Sequence, residues 1–252
     1  MKRRDSIDLN ADVGEGCGQD AELVPLVSSV NIACGAHAGD LGTMRQAVAL
    51  ALRHGASVGA HPGFADREHF GRRELALSPM EAAALVVEQA RLLQTVAAGL
   101  GAKVSHVKLH GALYSMAARD GRLAAAIVDA LAEAGRQSGA PWTLVALAGS
   151  EMVSIGRARG LKVLGEAFAD RSYRSDGTLV PRSDPGAVIA DEAAAAAQAL
   201  RIAGEGVVRA ADGSKTAVDA DTICLHGDSP GAVSFARRIR RELASAGIAV
   251  RC

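Results

Sequence analysis

Seven short apolar runs alternate along this chain with longer alanine- and leucine-rich stretches, and that alternation limits the fold more than any other feature. The runs cover residues 6–10, 30–34, 57–61, 104–110, 142–148, 162–169 and 222–226. The stretches between them have helical spacing, most clearly at 42–54, 78–100, 123–136, 185–203 and 230–246. A strand, a helix and a further strand make a βα unit, whose strands lie parallel with the helix packed outside. About seven such units, with no Pro/Ser-rich linker between them, predict one α/β domain over residues 1–252, built as a barrel. Ser78-Pro79-Met80-Glu81 reads as a capping box with proline at the first helical position. Ser183-Asp184-Pro185 and Asp228-Ser229-Pro230 read as comparable helix starts.

Four of the seven histidines end such runs beside glycine or proline: His37, His61, His110 and His226. A strand that ends in a polar residue and turns through glycine delivers that residue to one rim of a sheet. Four deliveries in one chain predict one constructed site at the strand ends. His61 precedes Pro62, which holds the histidine backbone extended and fixes its side-chain direction. His54 and His69 read as surface or loop residues.

The strands also carry polar stripes. Side chains alternate along a strand, so Asp8, Asn10 and Asp12 share one face of the first. Val104, His106, Lys108 and His110 do so on the fourth, Glu166, Phe168 and Asp170 on the sixth, and Cys224, His226 and Asp228 on the seventh. Each unpaired group facing a dry core would cost about 1–3 kcal/mol, so these stripes predict a wet cavity or an incompletely filled barrel. The bland readings are loop caps and arginine pairs for Asp8 and Asp12, a satisfied structural histidine for His106, a carboxylate partner for Lys108 and a helix cap for Asp228. Two long irregular stretches, 62–77 and 171–182, follow strands and carry Arg67, Arg72, Arg73, Arg171, Arg174 and Arg182.

Composition excludes several classes. The 28 basic and 28 acidic residues cancel, which leaves no bulk field for nucleic acid or an acidic membrane. None of the four cysteines forms a C-x-x-C pair. No run of 18 apolar residues occurs, and Met1-Lys-Arg-Arg leads into Asp5 and Asp8 instead of an apolar segment. The expectation is a cytoplasmic protein with free thiols. Gly14-Glu15-Gly16-Cys17-Gly18 is a glycine-rich turn, either tight or open to an anion, but no Walker loop and no G-x-S-x-G is present. Aspartates and histidines on several strand ends suit general acid/base attack on a carbonyl or a divalent metal that activates water; the spacing does not choose.

At these residues the chain resembles the LamB/YcsF family along nearly its full length. The matching segments are Asp8-Leu-Asn-Ala-Asp-Val-Gly-Glu-Gly16, Asn31-Ile-Ala-Cys-Gly-Ala-His-Ala-Gly-Asp40, Gly59-Ala-His-Pro-Gly63 with Phe70-Gly-Arg-Arg73, Val107-Lys-Leu-His-Gly-Ala-Leu-Tyr114, Glu166-Ala-Phe-Ala-Asp-Arg171 with Tyr173, and Cys224-Leu-His-Gly-Asp228. Leu109 departs from the proline of the family's Lys-Pro-His-Gly. The resemblance implies a (β/α)7 barrel akin to the glycoside hydrolase/deacetylase fold. It implies ATP-dependent opening of 5-oxoproline to glutamate by a 5-oxoprolinase whose A component works with subunits B and C. ATP, with magnesium or a site metal, is the implied cofactor.

With the rim pattern, the resemblance gives Asp12, His61, Lys108 and His110 as catalytic candidates. The candidates for substrate or phosphate binding are Asn10, Glu15, His37, Arg72, Arg73, Glu166, Asp170, Arg171 and His226. Two other readings use the same residues: a stand-alone metal-dependent deacetylase or amide hydrolase, and a non-catalytic barrel that binds substrate or scaffolds partner subunits.

Overall fold

A computed structural model describes residues 4–226 and 231–252. In chain order the elements are β1 (Ser6–Val13), α1 (Asp20–Leu23), a 3-10 turn (Val24–Leu26), β2 (Ser29–Ala33), α2 (Leu41–His54), β3 (Ser57–His61), α3 (Pro79–Ala98) and β4 (Val104–Lys108). They continue with α4 (Gly111–Arg119), α5 (Gly121–Ser138), β5 (Thr143–Leu147), α6 (Glu151–Ala158), β6 (Val163–Phe168) and α7 (Glu192–Glu205). Last come β7 (Val207–Arg209), β8 (Lys215–Ala217), β9 (Thr222–His226), α8 (Ala232–Ser245) and β10 (Ala249–Val250).

Strands β1 to β6 and β9 pair in parallel, and β9 closes on β1 with Asp12 opposite His226, which makes a seven-stranded barrel with helices outside. The expected (β/α)7 architecture is therefore present. β10 adds beside the start of β1, and β7 and β8 form a separate antiparallel hairpin that the sequence pattern did not signal.

Local chemistry explains the helix limits. Ser78 accepts from the Glu81 N–H and the Glu81 carboxylate accepts from the Ser78 N–H, the capping box read from the sequence. Asp40 caps α2, Asp120 caps α5 and Asp191 caps α7. The start expected at 185 is displaced: residues 185–191 are irregular and α7 begins at Glu192. Their backbone is drawn onto the loop after β6, where Val188 bridges Arg171 and the Ile189 N–H donates to the Asp170 carbonyl. The expected strand 104–110 stops at Lys108, because His110 turns the chain into α4 as its N-cap residue. The start expected at Asp228-Ser229-Pro230 lies outside the described residues.

The outward faces of the strands, with Leu9, Ala11, Val13, Val30, Ile32, Val107 and Ile223, are buried under the helices. The inward faces are buried as well but polar. Asp8 accepts from Ser28, Ser29 and Thr222. Asn10 donates to Glu166 and Thr222, and Asn31 donates to Asn10 and Asp12. Paired in this way, the stripes avoid the cost of unsatisfied burial. The barrel interior is a hydrogen-bonded polar column, with its open chemistry at the carboxyl ends of the strands.

Candidate active site

At that end, Lys108 sits at the centre of the barrel mouth and is 2% exposed. Its Nζ lies 2.8 Å from Asp12 Oδ1, 3.0 Å from Glu166 Oε1 and 3.0 Å from Cys224 Sγ. Burial opposes the ammonium, but Asp12, Cys224 and Glu166 outweigh it and hold Lys108 well above the usual lysine range. Burial likewise opposes the Asp12 carboxylate, while His61 and Lys108 hold its carboxyl well below the usual range. Glu166 accepts from the Tyr114 hydroxyl at 2.8 Å. Burial and the Glu166 carboxylate push that phenol well up.

Beside Lys108 lie three histidines and Glu15. The glycine-rich turn after β1 delivers Glu15, fixed where the Gly14 N–H donates to Asp20. His61 Nδ1 faces the Lys108 carbonyl at 2.8 Å, and a carbonyl only accepts, so Nδ1 carries the hydrogen. His110 Nε2 donates in the same way to the Phe70 carbonyl at 2.8 Å. The remaining nitrogens, His61 Nε2 and His110 Nδ1, face each other at 3.0 Å. Around them, Asp12 Oδ2 lies 3.3 Å from His61 Nε2, and Glu15 Oε1 lies 3.2 Å from His110 Nδ1 and 3.8 Å from His61 Nε2. His37 stacks flat on His110 at 3.7 Å and points Nε2 at Glu15, 3.3 Å away.

Electrostatics separate these rings. Burial lowers His61, but Asp12 more than compensates and its pKa is raised. Burial dominates at His37, pushed down to about 4, and lowers His110 as well. Burial opposes ionisation of Glu15, but its contacts with the His110 and His37 rings hold it far below the carboxylate range.

The stack fits because its neighbours lack side chains. A Cβ on Gly63 would lie 2.9 Å from His37 Nδ1, one on Gly71 2.9 Å from the His37 Cβ, and one on Gly111 2.5 Å from the Gly71 carbonyl. Phe70 is the one non-glycine residue at positive φ among the described residues, at 55°. That conformation costs about 1–3 kcal/mol. It aims the Phe70 carbonyl at His110 and sets its ring against both stacked histidines.

Asp170 and His226 form a second pair at the mouth, 2.9 Å apart, with Phe168 stacked on His226. Thus Asn10, Asp12, Glu15, His37, His61, Lys108, His110, Glu166, Asp170 and His226 converge. The arginines do not join them. Arg171 is buried with its guanidinium on the carbonyls of Ala187 and Val180, so it fastens the loop after β6. Arg73 is exposed beside Asp66, and Arg72 lies over the Phe70 ring at 4.9 Å. His106 makes contacts at both ring nitrogens, with Ser105 and Asn31, inside the barrel. Tyr114 and Phe70 are the residues that sequence reasoning did not single out. Tyr114 carried one signal, standing one helical turn after His110 in a chain with two tyrosines.

Two groups of side chains have metal-ligand spacing among the described residues: Glu15, His37 and His110, and Asp12, Cys224 and His226.

Residues 7–252 match the model of the LamB/YcsF family. The chain belongs to the LamB/YcsF family. It is 48% identical over 249 residues to the A component of 5-oxoprolinase from Geobacillus thermodenitrificans (strain NG80-2), covering 97% of this chain and 96% of that one. It resembles the crystal structure of the lactam utilization protein from Thermus thermophilus, with a TM-score of 0.88, 47% identity and coverage of 98% and 99% of the two chains. A T48 deacetylase bound to substrate shares the fold alone, at a TM-score of 0.51 and 14% identity over 97% of this chain and 86% of that one. Membership of the LamB/YcsF family thus accounts for the barrel and for the order of its polar segments. No described helix is long and apolar enough to cross a membrane.

Proposed function

We propose that this chain is the A component of an ATP-dependent 5-oxoprolinase, which opens the lactam of 5-oxoproline to L-glutamate. The observation that carries the reading is the buried Lys108 ammonium, held by Asp12 and Glu166 beside the facing imidazole nitrogens of His61 and His110. A lactam is a poor electrophile. Transfer of the γ-phosphoryl group of ATP to its carbonyl oxygen raises the electrophilicity of the carbon. Water then adds, the C–N bond breaks as the ring nitrogen takes a proton, and hydrolysis of the remaining acyl phosphate gives glutamate and phosphate.

In this scheme the Lys108 ammonium offsets the phosphate charge carried on the lactam oxygen. Fixed charge of this kind is typically worth about a hundred- to a thousandfold in rate. Water is held beside Asp12 and His61, one of which positions it and takes its proton. The backbone carbonyls of Lys108 and Phe70 fix both imidazole tautomers for that task. Arg72, over the Phe70 ring, and Arg73, exposed beside Asp66, are assigned to phosphate charge at the edge of the site. The ATP site is left unassigned on this chain, with a junction with partner subunits B and C as its candidate place.

The test is ATP-dependent glutamate formation from 5-oxoproline, with the chain alone and with its B and C partners. Turnover only in the mixture, lost on Lys108→Met and on His61→Ala, supports the reading. Intact turnover in both variants, or none with partners verified as active, overturns it.

A further inference from the structure

We infer that Glu15, His61 and His110, completed by Asp12, form a binding site for one divalent first-row transition metal, with zinc the best geometric match. The site stands on the geometry of the chamber and does not require the lactam reading.

Three observations carry it. The first is hydrogen bookkeeping. Two backbone carbonyls take the hydrogens of His61 Nδ1 and His110 Nε2. In the neutral rings the other two nitrogens are bare and lie 3.0 Å apart, with Asp12 Oδ2 3.3 Å from His61 Nε2 and Glu15 Oε1 3.2 Å from His110 Nδ1. Two imidazole nitrogens and two carboxylate oxygens gathered in this way are the donor set of a transition-metal cation.

The second is size. Four of the six donor separations there are 3.0, 3.2, 3.3 and 3.8 Å. Zinc bonds of about 2.0–2.1 Å in a tetrahedron imply ligand separations of about 3.4 Å, so the donors need to adjust by a few tenths of an ångström. The third is the outer shell. A metal-bound histidine almost always donates its other nitrogen to a carbonyl or carboxylate, as both rings do here.

The neighbouring combinations serve less well. His37 and His110 lie parallel, with an interplanar angle of 1°, so their in-plane lone pairs run side by side and do not converge. His61 and His110 are perpendicular, at 89°, and can aim at a common point. In the group of Asp12, Cys224 and His226, Lys108 donates to the thiol and His226 Nδ1 is engaged with Asp170.

The experiment uses the full chain, stripped with a chelator and titrated with zinc and with cobalt. Binding is read by calorimetry and metal content, and coordination by the visible absorption of bound cobalt. One metal per chain with a tetrahedral or five-coordinate cobalt spectrum is expected. His110→Gln and Glu15→Gln should each weaken binding by about a hundredfold or more, judged against the 10–100-fold typical of outer-shell changes. His37→Ala and His226→Ala should weaken it far less. Thermal unfolding of each variant verifies that it is folded.

Absence of stoichiometric binding overturns the site and leaves the facing nitrogens to a shared proton. Loss of binding in His226→Ala with retention in His110→Gln also overturns it. Both readouts are taken without substrate or partners, so either result leaves the lactam reading to its own assay.

Discussion

The imidazole of His106 occupies the space that a side chain on Gly59 would need. A Cβ built on Gly59 falls 2.0 Å from His106 Nε2. That nitrogen is tied to Asn31 Oδ1 at 2.9 Å, and the register places Gly59 opposite His106 and Asn31 on its two neighbouring strands. The missing side chain on β3 is what lets a histidine from β4 cross the barrel to β2.

Gly59→Ala should therefore overpack a bonded interior and lower stability by about 1–3 kcal/mol. In a chain of this size that is a fall in Tm of roughly 2–12 °C, measurable by thermal denaturation. In a His106→Ala background the same change should cost much less, since the space is then empty. An equal cost in both backgrounds would contradict the steric account.

Lys108→Met should act on both folding and turnover. It leaves Asp12 and Glu166 without their buried ammonium, a loss of about 3–5 kcal/mol for a broken buried pair. Denaturant unfolding measures this loss. Glutamate formation in the assembled enzyme, assayed where the variant remains folded, should fall about a hundred- to a thousandfold. A stability loss with unchanged turnover would make Lys108 purely structural.

Tyr114→Phe should keep the fold and leave Glu166 Oε2 without its hydroxyl donor. The expected cost is about 1–3 kcal/mol, read from the shift in denaturation midpoint. No shift would mean that the 2.8 Å contact contributes nothing in solution.

Asp170 gives the pH dependence. Burial opposes its charge, but His226 outweighs this and lowers its carboxyl below the ordinary value. A depressed carboxyl contributes stability that is present above the unfolded-state pKa of about 3.9 and is lost as pH falls through the folded value. Wild-type stability should therefore decline in acid below about pH 4, and Asp170→Asn should flatten that part of the profile. Urea unfolding from about pH 3 to about pH 6 checks the difference; parallel profiles would remove Asp170 from the account.

Sequence alone determined the elements whose cause is local. Alternating patterns placed all seven barrel strands, and Ser78-Pro79-Met80-Glu81 set the start of α3. Alternation along β1, β4 and β6 identified the polar faces. The strand-end histidines marked the rim, because a side chain's face follows from its position in the strand. Tertiary structure decided what depends on partners distant in the chain. It withdrew Arg171 to backbone carbonyls and delayed α7 to Glu192, because the loop after β6 needed those bonds more than the helix did. It set His61 against His110, 49 residues apart, and brought the Tyr114 hydroxyl onto Glu166. Local pattern says which way a side chain points, but which lone pairs meet is fixed only when the barrel closes.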